Sequence, residues 1–247
     1  MNMALIEVEK LEVRYGAKTA VSGLSFGVHG GEVYGLLGPN GAGKTSTLRT
    51  LAGLIAPAAG RVAVAGRDPQ RDRAAVLRRL GMVMANTPLP EQMTGREALR
   101  YYGAFYDLPD LEGRIAFLEA ELDMPFLDEE IGDYSTGMRQ RVNVARAIIH
   151  EPDVLVLDEA TNGLDVRSRR GVLEFVAAQR DRGAAVVYST HVMAEAEEVC
   201  DRVGIIDGGR LVAEGTVKEL LEMTGARNLE LAYLELASRK RSEEVRP

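Results

Sequence analysis

Residues 32–51 read EVYGLLGPNGAGKTSTLRTL. EVYGLLG (32–38) is a short apolar run ending in glycine, the pattern of a buried strand that enters a tight loop. KTSTLRTLAGL (44–54) then places leucines at 48, 51 and 54, which is helix spacing. Between them, Gly38-Pro39-Asn40-Gly41-Ala42-Gly43-Lys44-Thr45 satisfies G-x-x-x-x-G-K-[ST] in the context that motif requires. Small residues let backbone N–H groups curl around a β-phosphate, and the helix N-terminus adds partial positive charge. Asn40, Gly41, Ala42, Gly43, Lys44, Thr45 and Ser46 are therefore the expected nucleotide-binding set. Lys44 would reach the β- and γ-phosphates, and Thr45 would ligate Mg²⁺. The alternative is a glycine-rich turn without a ligand. From average residue usage a chance match in a chain of this length is on the order of 1 %, and the flanking elements lower it further.

Working outward, ALIEVEKLEVRY (4–15) alternates loosely, as a half-buried strand does. RVAVAG (61–66) and GMVMA (81–85) read as further strands. From about Pro88 to His150 the strand signal gives way to a helical region broken at LPDLEG and DMPF. VLVLDE (154–159) and AAVVYST (184–190) are continuous apolar runs, which suit parallel strands covered on both faces. VGIIDGGRLVAEG (203–215) reads as a hairpin turning at Asp207-Gly208-Gly209. LASRKRSEEVRP (236–247) is charged, and a frayed end is expected there. No repeat or low-complexity linker interrupts the chain. The pattern is an α/β core with one helical insertion.

The bulk numbers narrow the class. With 46 % hydrophobic and 27 % charged residues, the composition is that of a globular domain, and 247 residues suffice for one large domain. A net charge of −7 disfavours nucleic acid as the main partner. The single cysteine, Cys200, excludes an intramolecular disulfide framework and suits a reducing compartment. MNMALIEVEK lacks a signal-peptide pattern, and no apolar run approaches the ~18–20 residues that span a bilayer. Service to a membrane would go through a partner chain.

VLVLDE sets Asp158 and Glu159 at the end of a buried strand. Ligands of open parallel sheets bind at the carboxyl ends of the strands. Asp158 is thus placed to hold Mg²⁺, directly or through water. Glu159, one residue on, can orient and deprotonate an attacking water. Without the phosphate loop, two strand-end acids capping a helix would be the better reading.

The order of phosphate loop, DYSTGMRQR (133–141), VLVLDE, NGLD (162–165) and STH (189–191) resembles the ATPase subunits of ATP-binding cassette (ABC) transporters, from about residue 5 to 220. The resemblance implies a P-loop NTPase core of the ABC ATPase type: a mostly parallel sheet, an N-terminal antiparallel β region and an inserted helical subdomain. It implies one ABC ATPase domain over 1–220, with its core at about 1–87 and 146–220, a helical subdomain at about 88–145, and a short C-terminal helix or tail at 221–247. The cofactors implied are ATP and Mg²⁺. Tyr134, Ser135, Thr136, Gly137 and Met138 fall on the family's LSGGQ signature. The resemblance implies that Ser135 and Gly137 donate to the γ-phosphate held by the other subunit of a head-to-tail dimer. A helix cap alone would also explain Ser135. Tyr15 falls where the family stacks an aromatic ring on adenine, Asp165 on the loop that communicates across the dimer, and His191 on the switch histidine that contacts γ-phosphate.

Three departures stand out. Ala85, then Asn86, fall where the family has a glutamine, and Thr136 and Met138 replace glycine and glutamine in the signature. With STHVMAEAEEVCDRVGIIDGGRLVAEG, these resemble the NatA-like subunits of sodium-extruding and related efflux systems. The function implied is an ATP-hydrolysing subunit that powers efflux, sodium export included. It would sit cytoplasmic and peripheral on the inner membrane face. Its partners would be a second copy or a paralogous ATPase subunit and an integral-membrane permease. Two alternatives differ in class. A non-hydrolysing regulator that binds ATP only for assembly would follow from the missing glutamine and the altered signature. A soluble ABC ATPase acting on nucleic acid is disfavoured by acidity and by the single cassette.

Overall fold

The computed structural model describes residues 4–84 and 87–244, with side chains to residue 238. Two sheets organise it. β1 (Ile6–Tyr15), β2 (Lys18–Val28) and β4 (Ala59–Val64) form an antiparallel sheet in the order β2-β1-β4. β3 (Glu32–Leu37), β5 (Leu80–Val83), β6 (Val154–Asp158), β7 (Ala185–Thr190), β8 (Arg202–Asp207) and β9 (Arg210–Gly215) form the second, in the order β5-β6-β7-β3-β8-β9. All its neighbours run parallel except the β8–β9 hairpin. β3, β6 and β7 are buried along their whole length, as continuous apolar runs require.

β1 shows why its alternation is loose. It buries Ile6 and Val8, then Leu11 and Val13, and the phase slips at Lys10, which has φ 49°. A bulge there resets the pleat so that both pairs face the core. β2 was not legible as a strand. Gly23, at φ 70°, breaks its alternation between the buried Val21 and Leu24.

The helix after the phosphate loop, α1, spans Lys44–Leu51 and is shorter than its leucine spacing suggests. Gly53 adopts φ 66° just beyond it, and Leu54 is left exposed rather than in the helical stripe. A short α2 (Arg73–Leu77) precedes β5. The helical insertion comprises α3 (Gly95–Gly103), α4 (Leu111–Glu121) and α5 (Thr136–Ile148). α5 runs unbroken through residue 145. Its buried Val142, Ala145 and Ile148 belong to one continuous apolar cluster with Leu99, Ile115 and Leu118 of the other helices and with Leu155, Leu157 and Tyr188 of the sheet. The insertion is therefore packed on the sheet's face through α5.

α6 (Val166–Asp181), α7 (Met193–Val199), α8 (Val217–Thr224) and α9 (Leu229–Glu244) complete the chain. α9 carries the chain into the segment expected to fray, about 236–247, and Leu236 at the start of that segment is buried. Leu229, Ala232 and Leu236, at helical spacing, are buried, and Leu229 and Leu236 pack with Ala196 of α7 and Val203 of β8. Among the described residues, no helix is long and apolar enough to cross a membrane.

Candidate functional site

β3 delivers the chain into the phosphate loop at the carboxyl end of the parallel sheet. A side chain at Gly38 would meet the Ile206 carbonyl at 2.1 Å, and Gly43 begins α1 at φ 108°. No side chain caps α1, so its first amides are left without a side-chain partner. Asn40 and Gly41 form the exposed tip, Ala42 and Gly43 are buried behind it, and Thr45 and Ser46 are half-buried.

Lys44 is buried, yet its ammonium is satisfied. Nζ donates to the carbonyls of Gly38 at 2.8 Å and Pro39 at 3.2 Å and lies 3.5 Å from Glu159 Oε1. The same Glu159 oxygen lies 3.4 Å from Nδ1 of His191. Glu159 has φ 50°, a left-handed conformation unusual for a side chain of its size. Its N–H is held by the Ser189 carbonyl at 3.0 Å. That backbone twist points its carboxylate away from the sheet and between a cation and an imidazole. Strain of this kind costs ~1–3 kcal/mol and is characteristic of functional positions.

Asp158 lies behind this trio, 3 % exposed. Thr45 Oγ1 donates to its Oδ2 at 2.8 Å, and Ser189 Oγ donates to its Oδ1 at 2.6 Å. The Ser189 contact follows from strand register, since Asp158 and Ser189 are paired across β6 and β7. A hydroxyl and a carboxylate are hard oxygen donors, which fit Mg²⁺. Among the described residues no group of three or more His, Cys, Asp or Glu could hold a metal alone. A site of one carboxylate and one hydroxyl suits the ion that arrives with phosphates and keeps waters. Tyr15, half-exposed at the end of β1, has its hydroxyl 3.3 Å from Ser46 Oγ.

Ser135, Gly137 and Asp165 gather elsewhere. Ser135 caps α5 by accepting from the Met138 N–H at 3.2 Å. A side chain on Gly137 would stand 2.7 Å from Ser168 Oγ. Asp165 caps α6, its two carboxylate oxygens accepting from the N–H and Oγ of Ser168, each at 2.9 Å. Those hydrogen bonds, the backbone one first, hold its carboxyl below the usual range. Among the described residues, no hydrogen bond or ion pair joins Ser135 or Gly137 to Lys44, Thr45, Asp158, Glu159 or His191. One hydrogen bond links the neighbourhoods of the two groups: Gln140 Nε2 of α5 donates to the Ala160 carbonyl at 2.7 Å, one residue after Glu159. Ala85 and Asn86, the departure from the family's glutamine, lie outside the described residues.

Residues 21–162 match the family model described as ABC transporter. The chain belongs to the ABC transporter family. It is 41 % identical over 227 residues to a Nod factor export ATP-binding protein of Burkholderia lata, covering 90 % of this chain and 74 % of that protein. It is 39 % identical to a daunorubicin resistance ATP-binding protein of Streptomyces coeruleorubidus, covering 93 % and 74 %. It is 36 % identical to a linearmycin resistance ATP-binding protein of Bacillus subtilis, covering 90 % and 72 %. A solved ATP-binding subunit of an ABC transporter superposes with a TM-score of 0.87 at 31 % identity, covering 94 % of this chain and 99 % of that one. As an ABC ATP-binding subunit it is an ATPase whose cofactors are ATP and Mg²⁺.

Four residues that sequence reading passed over enter this ABC ATPase site or its supports: Ser189, Asn162, Gln140 and Glu195. Asn162 Nδ2 lies 3.5 Å from Glu159 Oε2. Ser189 had one signal, its place two residues before His191 at a strand end. Gln140 had only the QR that follows the signature.

Proposed function

We propose that this chain powers an ABC exporter as one half of a nucleotide-sandwich dimer docked on a separate membrane permease, at the inner face of the cell membrane. The observation that carries this is the separation of two half-sites. Lys44, Glu159 and His191 converge within 3.5 Å contacts, while Ser135 and Gly137 cluster with Asp165 and Ser168 and share no hydrogen bond or ion pair with that trio among the described residues. A second copy, or a paralogous subunit, supplies the missing half.

The roles follow. Tyr15 stacks on adenine. The amides of Asn40, Gly41, Ala42 and Gly43, with Lys44 and Ser46, bind the phosphates. Thr45 and Asp158 hold Mg²⁺, which when bound neutralises charge on the β- and γ-phosphate oxygens. Glu159 orients the attacking water and takes its proton, and His191 contacts the γ-phosphate. Ser135 and Gly137 donate to the nucleotide of the partner, and Asp165 lies at the dimer interface. ATP selects the closed dimer because it touches both subunits only there. One ATPase domain spans 1–220, and its helical part at about 88–145 meets the permease. Tyr101 of α3 and Phe105 just past its end, both large and exposed, support such a docking face.

The names of the relatives favour a large organic solute over a small ion. Sodium export, implied by the NatA-like resemblance, is the second reading. The test of the core proposal is phosphate release from the purified protein, abolished by Lys44→Ala, with ATP-dependent dimerisation of Glu159→Gln on size exclusion. A Glu159→Gln protein that stays monomeric at saturating ATP, with and without its permease, would overturn the sandwich.

A further inference from the structure

Glu195 lies in α7, four residues past His191, and is 3 % exposed. Burying a carboxylate is costly unless donors surround it. Here one oxygen, Oε2, accepts from three hydroxyls: Tyr188 at 2.8 Å, Thr161 at 2.9 Å and Thr190 at 2.9 Å. The other oxygen, Oε1, lies 3.4 Å from Nε of Arg169, a buried nitrogen with no other partner. These donors come from three places. Thr161 belongs to the loop that runs from Glu159 to Asp165. Tyr188 and Thr190 end β7, directly before His191, and Thr190 Oγ1 also accepts the Val192 N–H at 3.0 Å. Arg169 stands in the first turns of α6, and its own N–H bonds to the Asp165 carbonyl at 2.9 Å.

A single anion thus ties three segments: the loop bearing Glu159 and Asp165, the strand end bearing His191, and the start of the helix capped by Asp165. An apolar residue of similar volume would suit a purely structural role at least as well, because a buried ion gives weak net stability. We infer that Glu195 is a positioning residue for hydrolysis, holding the Glu159–Asp165 loop in register with His191. This rests on the roles proposed above for Glu159 and His191. A carboxylate offers acceptors on both sides, to the three hydroxyls through Oε2 and to the guanidinium through Oε1. The amide of Glu195→Gln has one acceptor and turns an NH₂ toward Arg169 or toward the hydroxyls.

The test uses the full chain. Glu195→Gln and Thr161→Val are each expected to lower kcat about tenfold or more, with equilibrium binding of a fluorescent ATP analogue within about twofold of wild type. The double variant falls no further than the worse single one, because both break one tie. Hydrogen exchange reads the tie without catalysis: amides of 160–165 exchange faster in Glu195→Gln, while those of the β1–β2 sheet do not change. Where Glu195→Gln fails to fold, Thr161→Val and Thr190→Val carry the same comparison. Unchanged kcat, independent multiplying effects, or unchanged exchange at 160–165 would overturn the inference. A wild-type rate abolished by Lys44→Ala alongside any of these outcomes leaves the functional reading standing. A wild-type protein without Lys44-dependent phosphate release overturns both.

Discussion

The phosphate loop and the signature corner both sit at helix N-termini, but their construction differs. α1 starts at Gly43 with no side-chain cap, and the charged groups around it are drawn from the ends of three parallel strands, β3, β6 and β7. α5 starts at Ser135, whose hydroxyl is engaged by its own helix, and its nearest neighbours are the cap residues of α6. In the first region buried charges are mutually satisfied: Lys44 by two carbonyls and Glu159, Asp158 by two hydroxyls. Such a region is preorganised to receive phosphate and metal. The second is a corner of short polar residues at the surface, stable without a ligand. Under the proposed sandwich, one copy carries two different halves of a site, one complete in its charges and the other an adapter.

The sharpest way to break this contrast is Glu159→Gln. Removing the base is expected to lower turnover by ~10²–10⁴ while ATP binding is kept. Near-normal turnover in a phosphate-release assay would remove Glu159 from the role. Ser135→Ala comes next. It should cut turnover by roughly tenfold and lose about 1 kcal/mol of stability through the lost cap. The affinity of the isolated chain for ATP should stay within about twofold, unlike that of Lys44→Ala. Equal losses of monomer affinity in both variants would merge the two regions into one site. Ser189→Ala strips one donor from Asp158. Its Mg²⁺ requirement should rise roughly tenfold, equivalent to ~1.4 kcal/mol, with ATP affinity in the absence of metal unaltered. A metal titration of activity decides it. The smallest effect is at Tyr15. Phe should be near neutral and Ala should raise KM for ATP about threefold, as loss of one stacked ring implies. An equal loss in Tyr15→Phe would assign the effect to the hydroxyl near Ser46 instead.

Much of the first region was legible because its chemistry is local. Gly38 to Ser46 form a contiguous loop between a strand and a helix, and each residue type is dictated by backbone curvature or by charge. Asp158, Glu159 and His191 were legible because strand ends in a parallel sheet share one edge. β2 was hidden by Gly23, which interrupts its pleat. The burial of Leu236 was hidden by the charged residues that follow it in sequence. Ser189 and Glu195 were hidden for another reason: a serine in an apolar strand and a glutamate in an acidic helix carry no local pattern.

The amino-acid sequence by itself determined that a phosphate loop opens a helix after a buried strand, and that two acids and a histidine end neighbouring strands. These are consequences of short-range sterics and hydrophobic periodicity, which act over a few residues. Only the tertiary structure decided that Thr45 and Asp158, 113 positions apart, share a hydrogen bond. It likewise decided that Asp158 faces Ser189, that Glu159 twists toward Lys44 and His191, and that one buried carboxylate gathers Thr161, Tyr188, Thr190 and Arg169. Parallel strands meet only through long crossovers, so their register, and every contact built on it, is set by packing across the whole core rather than by any stretch of chain.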